Sequence, residues 1–409
     1  MKKQLKIGLF GMYGLYNYGC EAIVRGTYEL IQQAWPNCEV VLYTFCSQQD
    51  KKIVDDLNIT VKQIPMNKGI LSKRIINKFL RAVSVQKQFP LWNAKIVAEE
   101  CNIIFSVGGD IYTIPKHILN NNDQTKHSAI VEFGKTIIKS RPFIIWGASI
   151  GPFGDKQEVK DYYFCHLKDV KQIFCREQKT FNYLKDNNIV SNVQLCSDPA
   201  FYVRDVNKGK GIEYPKSDKL RIALNLSPLS IREQMGEGSE IFKEQIIKTI
   251  KNLLAIPNVE IILIPHVLSP LSGEDNDFTY LKDIYNSIPV KYLNSIRLLE
   301  DAKGFLVTKV FLKTCDIVIA ARMHCAVNAV CEGIPTIFLY YSQKGLGMAN
   351  YIYGDSKWAI PLMDMEKELK SKILDMLSNK DLISGEIKKR IEEIRSDESR
   401  IVDLFKRQI

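Results

Sequence analysis

The sequence predicts an α/β protein made of two doubly wound halves, each a parallel sheet flanked by helices. Three observations predict it. Short apolar runs of strand length alternate with longer helical patterns along the chain, as expected for parallel strands joined by helical crossovers. A polar, glycine-containing stretch, DVNKGKGIEYPKSDK at 205–219, separates those runs into two groups. The length of 409 residues, 46% hydrophobic and 25% charged, suffices for two cores of ordinary domain size. The expected organisation is a first domain over 1–204, a linker over 205–219, a second domain over 220–362 and a helical tail over 363–409.

In the first half the strand runs are Lys6–Phe10, Glu39–Thr44, Ile103–Val107, Phe143–Ala148 and Gln172–Cys175. The first of them enters GMYGLYNYGCEAI, where Gly11, Gly14 and Gly19 make a loop ahead of a helix starting near Cys20. Such a loop lets backbone approach a ligand, and Asn17 can add side-chain donors. It lacks the GK[ST] of a phosphate loop, and Gly8, Gly11 and Gly14 recur every third residue, unlike GxGxxG. In FSVGGDIYT the turn holds Gly109 and Asp110; the carboxylate suits a sugar hydroxyl or a base role, and equally a helix cap. WGASIGPFG places Ser149 in a third glycine turn, as a hydrogen-bonding group without a GxSxG elbow. Arg176 in IFCREQKTF suits bidentate binding of a carboxylate or phosphate, or else a surface salt bridge with Glu177 or another acid. Asp198 precedes a proline and reads as a turn residue.

The second half reads as strands over 221–225, 259–264, 317–320 and 336–340, with Asn225 and His266 at strand ends. Its centre is DIVIAARMHCAVNAVCEGIPTIFLYYSQK at 316–344, where a buried strand delivers Arg322 and His324 into the turn before a helix over 325–331. The carboxyl end of a strand meeting a helix amino terminus favours ligands and anions. Gly333 and Pro335 close that helix. The tail has a stripe of Ile373, Met376 and Leu377, and is expected to pack back across the first domain.

The net charge of +10 calls for an acidic partner. Between residues 57 and 98 there is no acid, while Lys62, Lys68, Lys73, Arg74, Lys78, Arg81, Lys87 and Lys95 fall there. Within it Ile70, Leu71, Ile75, Phe79 and Val83 recur at near-helical spacing, so this is either a helix packed on its own domain or one lying on an anionic membrane. No nucleic-acid motif accompanies it. No apolar run reaches the roughly 20 residues of a spanning helix, and the start has no signal-peptide pattern. The expectation is a cytoplasmic protein, with peripheral contact at the inner membrane face under the second helix reading. The ten cysteines include no CxxC and the five histidines no HxxxH or HExxH, so neither a disulfide framework nor a metal site is expected. Cys101, Cys175, Cys315 and Cys331 are expected as reduced core thiols.

Taken together, NYGCEAI, SVGGD, WGASIGPF, FCREQKTF, CSDPAF, LIPHV and ARMHCAVNAVCEGIPTIFLYYSQK resemble the polysaccharide pyruvyl transferase family, in order from about residue 6 to residue 350. Met323 stands where members usually carry leucine or phenylalanine, which leaves the Arg-x-His spacing intact. The resemblance implies a GT-B type fold, two Rossmann-like domains facing across a cleft, with the acceptor on the first and phosphoenolpyruvate on the second. It implies transfer of pyruvate from phosphoenolpyruvate to two hydroxyls of a saccharide, lipid-linked forms included, giving a cyclic ketal and phosphate. No metal or organic cofactor is required. Under it Arg322, Arg176 and Lys344 bind the donor anion, and His324 is the general acid or base. Asp110 orients or deprotonates a hydroxyl, while Asn17, Gly109, Ser149 and His266 contact substrate. Two other readings are a GT-B glycosyltransferase using a nucleotide sugar, for which Glu332 is the residue to grip ribose, and a non-catalytic anion- or membrane-surface-binding protein.

Overall fold

A computed structural model describes residues 4–82, 88–204, 212–235, 239–270, 275–301 and 303–409. Val83 and Lys87 of the basic segment, and 205–211 of the expected linker, lie outside the described residues. Two compact units emerge, one of Met1–Leu15, Ile23–Tyr202 and Glu398–Ile409, the other of Tyr16–Ala22 and Val203–Asp397.

The first unit holds β1 (Lys6–Phe10), β2 (Glu39–Thr44), β3 (Ile59–Gln63), β4 (Ile103–Val107), β5 (Phe143–Ala148), β6 (Gln172–Cys175) and β7 (Val193–Leu195). They form one parallel sheet in the order β3-β2-β1-β4-β5-β6-β7. β4 and β5 are buried along their whole length, because helices cover both faces of a parallel sheet and a continuous apolar run is what such a strand needs. The second unit holds β8 (Leu220–Asn225), β9 (Val259–Leu263), β10 (Ile296–Leu298), β11 (Ile317–Ala320), β12 (Thr336–Tyr340) and β13 (Ala359–Pro361). Their order, β10-β9-β8-β11-β12-β13, repeats the first unit's winding. In each sheet the strand order reverses at its first strand, between β1 and β4 and between β8 and β11, the switch point at which such sheets leave a crevice.

The expected tail is divided between the units. Helices Met365–Ser378 and Lys380–Ser396 stay with the second, while Glu398–Ile409 groups with the first. Phe405 explains the latter: its ring lies 4.9 Å from Trp146, 5.0 Å from Phe105, 5.5 Å from Phe174 and 6.2 Å from Trp35. No described cysteine is in a disulfide, and Cys101, Cys175 and Cys315 are buried, whereas Cys331 is only half-buried at the end of its helix.

Candidate functional site

In the second unit the site is built on the ends of β8, β9 and β11. Asn225, the last residue of β8, donates from Nδ2 to the Ile264 carbonyl at 2.8 Å and accepts the Arg322 backbone N–H at 2.9 Å, so one buried amide ties the three strand ends together. Arg322 is the N-cap of helix Met323–Val330, with extended backbone. Its guanidinium lies on Asp277, with Nη2 to Oδ1 at 2.7 Å and Nε to Oδ2 at 3.3 Å, and also pairs with Asp275. Asp277 accepts the His266 and Val267 N–H groups as well, at 3.0 and 3.1 Å. Burial works against the Arg322 charge, but Asp277 and Asp275 outweigh it and hold its pKa above the usual value. Its inner edge is committed to Asp277, whose side chain is 0% exposed, and its outer partner is Asp275, at 31%. Neither acid stood out in the sequence; the signal was the Asp-Asn-Asp triplet shortly after the His266 strand.

His324, half-buried, lies in the first turn of the Met323–Val330 helix. Gly19 faces it: a Cβ at residue 19 would stand 2.4 Å from His324 Nδ1, so only glycine permits this approach. Gly19 sits in the first turn of helix Tyr18–Ala34. Asn17 caps that turn, its Oδ1 accepting the Gly19 N–H at 2.9 Å and its carbonyl the N–H groups of Cys20 and Glu21 at 2.9 and 3.1 Å. The side-chain oxygen of Asn17 is thus used on its own helix. This short segment is anchored within the second unit by the bond from Tyr18 N to the His266 carbonyl (3.1 Å) and by Glu21, which accepts the Phe305 N–H at 2.8 Å. Two helix amino termini consequently meet at His324, a setting that favours negative charge.

His266 stands behind, 1% exposed, its ring edge-on to Tyr18 at 5.3 Å and to Phe305 at 6.1 Å. Its Nε2 has no hydrogen-bond partner among the described residues. Burial first, then the neighbouring His324 and Arg322, holds its pKa well below the ordinary value. Burial likewise pushes the Tyr18 phenol up to about 12. Lys344, half-buried in the first turn of helix Gln343–Tyr353, follows β12, the next strand over from β11.

In the first unit Arg176 gathers the ends of β4, β5 and β6. Its Nη1 meets Asp198 at 2.8 Å, its Nη2 Asp110 at 3.2 Å, and Nε and Nη2 reach Ser149 Oγ at 3.3 and 3.2 Å. The hydroxyl of Ser149 donates to Glu177. With its side chain 4% exposed, Arg176 is ion-paired with nearby acids, as one reading of the sequence allowed, but buried rather than at the surface. Gly109 makes room for it, since a Cβ there would lie 2.8 Å from Nη2, and the Gly109 carbonyl accepts the Ser149 N–H at 2.7 Å. Asp198 and Asp110 pair with this guanidinium and Glu177 with Ser149 beside it; Asp110, 61% exposed, faces solvent. Its carboxylate contacts Arg176 rather than capping a helix; the next helix is Lys116–Asn120. A cavity of about 490 Å³ elsewhere in this unit, walled by Phe89, Trp92 and Phe133, contains none of these groups.

A family model for polysaccharide pyruvyl transferases matches residues 17–343, from the capping Asn17 to the residue before Lys344. The chain belongs to the polysaccharide pyruvyl transferase family. Among solved structures, this pyruvyl transferase family member is similar to a glycosyltransferase from Rickettsia africae (TM-score 0.54, 12% identity, 100% of this chain and 97% of that one). It is similar also to HepE of Anabaena, solved with UDP and glucose (TM-score 0.57, 12% identity, 98% of each chain). A UDP-GlcNAc 2-epimerase from Methanocaldococcus jannaschii matches at TM-score 0.53 and 12% identity over 92% of this chain and 93% of that one. At these identities the likeness concerns the fold, and it is the GT-B-like class of two parallel sheets flanked by helices that the sequence predicts.

Proposed function

We propose that this transferase moves pyruvate from phosphoenolpyruvate onto two hydroxyls of a saccharide. The methylene carbon of the donor gains a proton, one hydroxyl attacks the neighbouring carbon, phosphate leaves, and a second hydroxyl closes the cyclic ketal. The observation that carries this reading is His324 at the meeting of two helix amino termini, two residues after Arg322. An imidazole suits proton transfer to the donor, while the dipoles of two converging helix amino termini favour the negative charge of a leaving phosphate. Arg322 and Lys344 are assigned to the donor anion, with Arg322 reached through its outer, Asp275-bearing edge. Asp110, presented by Arg176, is assigned to a saccharide hydroxyl. Behind these groups, Asn17, Gly109, Ser149, Arg176 and His266 act as positioning residues. The scheme uses no metal or organic cofactor.

Glu332 bears on the choice between phosphoenolpyruvate and a nucleotide sugar. It pairs with Lys309 at 2.8 Å and Lys313 at 3.0 Å, which commits the carboxylate that a ribose would need. The acceptor is read as lipid-linked, from the basic segment of the first unit. Incubation with phosphoenolpyruvate and a panel of free and lipid-linked saccharides tests this: phosphate release that depends on acceptor, with the mass gain of a pyruvyl ketal, is expected. Release of nucleoside diphosphate from a nucleotide sugar instead would overturn it.

A further inference from the structure

The helix Ile70–Ala82 packs against its unit in an unusual sense. The face it turns inward is Ile70, Lys73, Asn77 and Leu80, and the most buried of these is an amide: Asn77, 4% exposed, exchanges two 2.8 Å hydrogen bonds with the Phe89 backbone. Its large apolar side chains point outward. Leu71, Ile75 and Phe79, at i, i+4 and i+8 on one stripe, are 71%, 71% and 65% exposed, and Ile76 beside them is 41% exposed. Folding this unit does not use these side chains, and hydrophobic residues in a continuous exposed stripe mark a surface that another phase or partner covers.

We infer that this helix lies in the interface of an anionic lipid bilayer, with Leu71, Ile75 and Phe79 inserted among the acyl chains. Charge selects that occupant. Lys68, Arg74 and Lys78 are exposed around the apolar stripe, and no acid occurs between residues 57 and 98. Lysine and arginine at such a helix bind lipid phosphates while the apolar face enters the acyl boundary. A second copy of the chain would instead bring these cations against one another. No described helix is long and apolar enough to cross a membrane, so the contact is peripheral. This inference is independent of the donor chemistry, because attachment is measured without turnover.

The test is co-sedimentation of the full chain with vesicles of phosphatidylcholine alone or mixed with phosphatidylglycerol. Binding to the mixed vesicles only, weakened by added salt, is expected. The triple variant Leu71→Ser, Ile75→Ser, Phe79→Ser is expected to lose about tenfold or more in vesicle affinity, with an unchanged circular dichroism spectrum and unchanged turnover of a soluble acceptor. Lys68→Gln, Arg74→Gln, Lys78→Gln is expected to bind more weakly and with a flatter salt dependence. No binding to anionic vesicles, or a serine variant that binds like the parent, would overturn the inference. So would a self-associated parent, in sedimentation velocity, that the serine variant turns monomeric without change in vesicle binding.

Discussion

Asp277 and Arg322 are held by two near-parallel bonds, 2.7 Å from Nη2 to Oδ1 and 3.3 Å from Nε to Oδ2, with the carboxylate wholly withdrawn from solvent. The same carboxylate receives the His266 and Val267 N–H groups. Removing it leaves a buried guanidinium and two buried donors without their acceptor. Asp277→Ala is expected to cost about 3–5 kcal/mol of stability, read as a lowered urea midpoint at unchanged slope.

Asp275 is expected to behave differently. It pairs with the same guanidinium from a side chain 31% exposed, where a lost ion pair costs about 1 kcal/mol or less. If the outer edge of Arg322 receives the donor, Asp275 competes with it. Asp275→Asn should then lower the KM for phosphoenolpyruvate while kcat and the urea midpoint stay close to the parent. A raised KM would remove Arg322 from the donor site.

Gly19 and His324 give a test of positioning. Adding a methyl group at residue 19 puts a carbon 2.4 Å from His324 Nδ1, so the imidazole must move. Gly19→Ala is expected to lower kcat about 10- to 100-fold, with some loss of stability as well, since the added carbon also falls 2.8 and 3.0 Å from His324 Cγ and Cβ. His324→Ala should lose about 10²- to 10⁴-fold in kcat. Steady-state phosphate release on variants checked by near-ultraviolet circular dichroism separates these effects from misfolding.

How far the sequence could be read depended on the kind of signal. Central strands such as β4, β5 and β11 were legible to the residue because burial on both faces forces an unbroken apolar run. The edge strands were not: β3 mixes half-buried and exposed residues with none fully buried, and β7, β10 and β13 have three residues each, too short for a pattern. At the candidate site the strand-end positions of Arg176, Arg322 and His324 were legible. Their partners were not, because Asp198 lies 22 residues from Arg176 and Asp277 45 from Arg322, and no local spacing encodes such a meeting. The sense of the basic helix was likewise hidden, since its periodicity is the same whether the apolar stripe faces in or out.

His166 supplies a prediction about pH. It lies in helix Gln157–Asp169, 0% exposed, stacked on Tyr112 at 6.1 Å and tilted to Phe143 at 6.1 Å, and neither ring nitrogen has a hydrogen-bond partner among the described residues. Burial first, with a contribution from Lys135, pushes its pKa from 6.5 down to about 3. In the folded protein the ring therefore stays neutral at pH values where an unfolded imidazole takes up a proton. Between pH 6.5 and about 3 the unfolded state binds the extra proton, so stability falls as pH falls through that window and is unaffected by this group above it. The slope approaches about 1.4 kcal/mol per pH unit. His266, depressed in the same direction, adds to it. His166→Leu keeps the apolar volume and removes the titration, so urea unfolding from roughly pH 7 to pH 4 should show a variant whose stability declines less steeply than the parent's by one proton. Parallel curves for parent and variant would mean that His166 is protonated in the folded state, which its burial without a hydrogen-bond partner opposes.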